Sequence, residues 1–173
     1  MLPMMFCGGS PPPPAGYSAN LIPTMTSNTT PSGVASSGGD INSNWQPWTA
    51  FDAIYGTFQT WYSSGIPAWI AYDWGAGNGK VITKYVITGS ADGNENAARG
   101  AYSWQFQGWD GAAWVTLHSV TASVPLTSGL QVRTHTFANA SNYEKYRLYV
   151  TASGSAGTGT QVQVGRLEMM SGG

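Results

Sequence analysis

Eight Asp and Glu, seven Lys and Arg, two His and one Cys are the strongly reactive side chains of this 173-residue chain. A glycosidase needs two carboxylates about 5 to 10 Å apart across a cleft. No paired-acid motif stands among these acids, and the chain reads as non-catalytic. His118 and His135 lie in strand-like segments without Cys or His at ligand spacing. That argues against zinc and against a histidine-based triad, and predicts satisfied structural or surface histidines. GAGNGK (75–80) carries the glycines and lysine of a phosphate loop, but its spacing differs and Val81 stands where Ser or Thr would hold magnesium. A turn between strands is expected there. Two stretches remain. NWQPWTAFDAIYGTFQTWYSS (44–64) packs its aromatic residues around one carboxylate, Asp52, and DGNENAARGAY (92–102) sets Glu95, Asn96 and Arg99 within one short loop.

Strands and turns must position these residues. WIAYDW (69–74), VITKYVITG (81–89), SWQFQGW (103–109), AWVTLHSV (113–120), LQVRTHTF (130–137), YRLYVTA (146–152) and VQVGRLEM (162–169) are rich in β-branched and aromatic residues, with turn residues between them. Helical periodicity is sustained nowhere over three turns. The spacing predicts an all-β fold, an antiparallel β-sandwich of Greek-key or jelly-roll type, over residues 20–170. Residues 1–19 read separately, as an apolar MLPMMF tip on a Pro11–Pro14 rod that extends about 3 Å per residue, and 171–173 as a tail. The competing reading of 1–19 is a frayed terminus.

Charged residues make up 9% of the chain and the net charge is −1 with no basic cluster, which excludes a nucleic-acid or anionic-membrane footprint. No apolar run approaches the roughly 20 residues of a membrane span. MLPMMFCGG lacks the basic start and long apolar core of a signal peptide. On that reading Asn28 and Asn139 are chance matches to the glycosylation pattern, and the lone Cys7 forms no disulfide framework.

In order along the chain, PWTAFDAIYGTFQTWYSSGIPAWIAYDWG (47–75), SWQFQGWDGAAWVTL (103–117), YEKYRLYVTA (143–152) and VQVGRLEM (162–169) resemble the discoidin-like domain (coagulation factor 5/8 type C). The sugar-binding branch of that family is the family 32 carbohydrate-binding modules. The likeness runs from Thr24 to Met169, and MTSNTTPSG (25–33) further resembles the version found in bacteriophage tail and other virion proteins. The resemblance implies an eight-stranded, galactose-binding-domain-like jelly roll that binds glycans through loops at one end, usually with one structural calcium ion.

It implies that Trp48, Phe51, Trp61, Trp69 and Trp74 seal the core beneath long loops. It further implies that Asp52, Thr60 and Glu168 are the calcium ligands, hard oxygens drawn from distant segments. The sequence departs from the family at Ala53, usually Gly, and in a longer loop from Ala53 to Gln59. The competing reading of Asp52 is a loop-bracing acceptor of backbone hydrogen bonds.

Sugar recognition needs a flat apolar surface against the ring's C–H face and planar groups for vicinal hydroxyls. Trp45 with Tyr55 or Phe58 supplies the platform in this reading, and Glu95, Asn96 and Arg99 the polar contacts, unless 92–102 is an ordinary solvated loop. Trp109, where the family tends to have small polar residues, is a further contact candidate. SGSAGTGTQ (153–161) is expected at most to border the site. The chain then reads as a glycan-binding structural protein of a phage particle, displayed as a homo-oligomer or multicopy array and held to other virion proteins through residues 1–19. The alternative is a purely structural decoration or connector without sugar binding.

Overall fold

The computed structural model describes residues 16–54, 56, 59–91, 96–124 and 131–172, with the backbone alone for 96 and 97. The tip and proline rod at 1–15 lie outside the described residues. The described strands are β1 (Val34–Ser37), β2 (Trp61–Tyr62), β3 (Ala68–Asp73), β4 (Lys84–Thr88), β5 (Ala101–Trp109), β6 (Trp114–Val120), β7 (Val132–Thr136), β8 (Lys145–Ser153), β9 (Gln163–Val164) and β10 (Arg166–Met170). Two short helical pieces join them, a 3-10 turn at Pro47–Phe51 and α1 (Asn96–Arg99).

All named ladders are antiparallel. Five strands form one sheet in the order β1-β3-β8-β5-β6 and three form the other in the order β10-β4-β7, while β2 pairs with β9. The all-β sandwich expected from the alternation is the observed fold.

Period-2 alternation turns Ile70, Leu148 and Phe106 of neighbouring strands inward, each 0% exposed. Rings join the two sheets across the core. Tyr85 of β4 stacks on Phe106 of β5 with centroids 4.3 Å apart, and Phe106 in turn stacks on Tyr146 of β8 at 5.6 Å. Phe51 and Trp61 from the aromatic stretch are buried, and Trp48 and Trp74 pack against the core. Trp69 does not share that role. It lies opposite Ile70 on β3, half-exposed, against Gly38, where a Cβ would sit 2.6 Å from its indole nitrogen.

Of the two histidines, His118 is satisfied as expected and His135 is not. His118 Nδ1 lies 2.8 Å from the Tyr85 hydroxyl, which also accepts from Trp104 Nε1 at 2.9 Å. His135 Nε2 is buried without a hydrogen-bond partner, and burial, aided by His118 and Arg133, pushes its pKa down to about 4. At the chain ends, Ser18 N donates to Ser171 O at 2.7 Å and Ser171 N to Ser18 Oγ at 3.1 Å.

Candidate functional site

Strand direction sorts the loops into two ends. Ala101 pairs with Ser153, so residues 89–91, 96–100 and 154–162 share one end, and the stretch before β3 joins them there. Trp109 pairs with Trp114 and Asp73 with Lys145, so 110–113, 137–144 and 74–83 share the other.

At the first end, Tyr62 is the hub. Its ring takes the Arg99 guanidinium 4.7 Å from its centroid and the edge of Trp45 at 5.7 Å, while its hydroxyl donates to Gln161 Oε1 at 2.6 Å. An open hollow of about 590 Å³ lies beside it, lined by Arg99, Ser155, Thr158, Thr160 and Gln161 among others.

Glycines bring the two loops together. Gly154 holds φ +76°, which favours glycine, and a Cβ on Gly159 would sit 2.6 Å from the Ala98 carbonyl, so side chains there would push the 154–161 loop off α1. A guanidinium fixed by an aromatic ring, facing hydroxyls and an amide, makes planar bidentate hydrogen bonds with little ordering left to do.

A second constellation sits behind this end. Asp52 is 2% exposed; its Oδ1 accepts from Ile54 N at 2.8 Å, whereas Oδ2 has no hydrogen-bond partner. Burial raises its pKa above the ordinary carboxylate value, while the Ile54 hydrogen bond and the Arg166 charge pull the other way. Thr60, fully buried, likewise has an unpartnered Oγ1. Glu168 Oε1 is instead bound by Arg166 Nη2 at 2.6 Å. Ala53 holds φ +61°, a left-handed conformation that strains a side-chain-bearing residue.

No protein-family model matches the chain, and no curated protein matches its sequence. Its shape does have relatives among solved structures. The family 32 carbohydrate-binding module of C. perfringens NanJ superposes with a TM-score of 0.62 at 12% identity, covering 80% of this chain and 93% of that one. The fold is that of the family 32 carbohydrate-binding modules. The family 32 module of Streptococcus pneumoniae EndoD gives 0.63 at 11% identity over 83% and 98% of the two chains. Chitosan-binding module 1 of a Paenibacillus chitosanase/glucanase gives 0.62 at 18% identity over 88% and 98%.

Within this fold the structure brings Trp45 and Arg99 together through Tyr62. Tyr55, Phe58 and Glu95 lie outside the described residues, as does the side chain of Asn96. Trp109 lies at the opposite end, beside a hollow of about 480 Å³ lined by Asp110, Asn142, Tyr143 and Glu144 among others. Two features escape sequence reasoning. The 154–161 loop supplies most of the hollow's lining, and Tyr62 organises it; the available signal was the run of hydroxyls and Gln161 in that loop.

For calcium, the donors fit in part. Asp52 Oδ2 and Thr60 Oγ1 are buried oxygens with no partner, the state a hard cation would relieve. Glu168 is committed to Arg166 instead. No group of three His, Cys, Asp or Glu side chains forms a metal cluster among the described residues, so an ion here would depend on Thr60 and backbone carbonyls for its remaining oxygens. Among the described residues no helix is long and apolar enough to cross a membrane.

Proposed function

We propose that this chain is a non-catalytic carbohydrate-binding module whose sugar occupies the hollow between α1 and the 154–161 loop. The observation that carries this reading is the Arg99 guanidinium stacked on Tyr62, with Trp45 on the same ring and the hydroxyls of Ser155, Thr158 and Thr160 around the hollow. Arg99 and Gln161 pair with vicinal hydroxyls, and the half-buried Trp45 offers a C–H contact at the rim. Solved modules of the same fold hold galactose or, in the Paenibacillus enzyme's second module, chitotriose, which supports a neutral or amino sugar here. On a glycan array the protein should bind a restricted set of such sugars, and Arg99→Ala should weaken that binding at least tenfold without changing its melting temperature. Failure to bind any glycan would sink the reading and favour the purely structural alternative.

A structural calcium ion belongs to the same proposal, held by Asp52 and Thr60, where its charge would offset the desolvated Asp52 carboxylate. We further place the module on a bacteriophage particle in many copies, with residues 1–19 as the attachment to other virion proteins. The likeness of 25–33 to virion versions of the domain supports this. A single shallow site gives weak affinity, and an array raises avidity by about 10² to 10⁴. Deleting residues 1–16 should abolish incorporation into particles while the domain stays folded; normal incorporation would refute the attachment.

A further inference from the structure

The outer face of the five-stranded sheet holds a second meeting of rings and planar polar groups. Cross-strand register sets Trp69, Tyr149 and Gln105 in one row, and Ala71, Arg147, Gln107 and Thr116 in the next. Trp114 follows, paired with Trp109. The residues that alternate with them, Ile70, Leu148 and Phe106, fill the core, so these rows face out of the sandwich.

Arg147 stands at the centre. Its Cζ lies 4.3 Å from the Trp114 ring centroid and 4.9 Å from that of Tyr149, and its Nε donates to Gln107 Oε1 at 2.6 Å. Gln107 Nε2 donates in turn to Gln105 Oε1 at 2.7 Å and Thr116 Oγ1 at 3.0 Å. The guanidinium is thus fixed by two rings and an amide chain. Among the described residues no carboxylate pairs with it: the acid in the neighbouring strand, Asp73, is paired with Lys145 at 3.0 Å. Partial burial makes that lone charge costly and holds its pKa below the ordinary arginine value.

An uncompensated, immobilised guanidinium is complementary to a carboxylate, which matches its fork geometry. The surroundings narrow the kind of carboxylate. Half-exposed Trp114, Tyr149 and Trp69 are platforms for sugar C–H faces, and Gln105 and Thr116 suit hydroxyls. From β3 to β6 the face crosses three inter-strand steps, about 14 Å, enough for more than one sugar ring. A single cation among rings is poorly suited to a dense phosphate polyanion.

We propose that this sheet face is a second glycan-binding surface, separate from the loop hollow, that takes an acidic polysaccharide strand with a uronate carboxylate on Arg147. It does not rest on the Arg99 site, and either can fail alone.

The test is affinity electrophoresis and titration calorimetry of the full chain with alginate and polygalacturonate oligomers, against neutral cellohexaose. Acidic oligomers should bind and cellohexaose at least tenfold more weakly. Arg147→Gln should lose at least tenfold in affinity for the acidic oligomers, and Arg99→Ala should retain it. Thr116→Glu, at an exposed position, places a carboxylate in the row of Arg147 itself and should abolish acidic binding even if Arg147→Gln proves unstable. Absence of acidic binding, binding that Thr116→Glu leaves unchanged, or equal binding of neutral chains would each overturn the proposal.

Discussion

Among the described residues two arginines stack on aromatic rings, and they are held in opposite ways. Arg99 ends a four-residue helix in a loop and rests on Tyr62, whose hydroxyl is anchored to Gln161 on another loop. Arg147 sits inside nine-residue β8, with hydrogen-bonded ladders to β3 on one side and β5 on the other. The loop arginine depends on a few distant partners, any of which can release it. The sheet arginine is placed by redundant backbone pairing, so removing one neighbour leaves it nearly where it was. One region is therefore adaptable and fragile, the other fixed and tolerant.

The sharpest way to break that contrast is to remove one ring from each. Tyr62 is 8% exposed and joins Trp45, Arg99 and Gln161, so Tyr62→Ala should cost about 3 kcal/mol in urea unfolding. Tyr149→Ala, on the open face, should cost only about 1 kcal/mol. Equal losses would show that both sites lean on their rings alike.

Next in size is the effect of the proposed calcium ion behind the loops. With calcium at about 100 times its dissociation constant, an ion on Asp52 and Thr60 adds about 2.7 kcal/mol of stability. Chelation should lower the melting temperature by about 5 to 10 °C, loosen the Arg99 site and leave the Arg147 face unaffected. Asp52→Asn should remove the response. A melting curve indifferent to chelator leaves Asp52 as the brace for Ile54 N alone.

The smallest effect runs the other way, against the sheet side. His135 of β7 faces His118 of β6, with ring centroids 5.4 Å apart, where the edges of the two sheets meet. The unfolded chain takes up this proton near pH 6.5, while folded His135 resists until about pH 4. Stability is therefore full above pH 6.5 and falls as pH drops toward 4, by about 2 kcal/mol once partial solvent exposure is allowed for. His135→Phe should flatten that slope in pH-dependent unfolding; an unchanged slope would place the acid sensitivity elsewhere.

Strand positions were legible because alternation is a local signal: 103–109 and 113–120 match β5 and β6 within two residues. The run 162–169 was not, since it breaks into β9 and β10 at Gly165, where a Cβ would strike the Gly89 carbonyl, a contact between residues far apart in sequence. Arg99 stood out because its polar neighbours crowd one loop. Tyr62 did not, because its meaning comes from Gln161 on another loop, and Trp109 looked like part of the same site until strand direction put it at the far end. Arg147 read as one more strand residue, since its partners come from β5 and β6 and only register brings them together.

The hydrogen bonds between Ser18 and Ser171 lie where β10 ends beside the start of β4, the end of the sandwich away from Arg99. Mechanical load therefore has two very different routes. Pulled apart from each other, the chain ends would unzip one bond after another at low force. Were the module held at those ends and pulled by a sugar in the proposed hollow, the load would run along its strands, and the five register pairs between β4 and β10 would resist together in shear. With the proposed attachment at one pole and the proposed sugar hollow at the other, tension would run along the strands rather than across them.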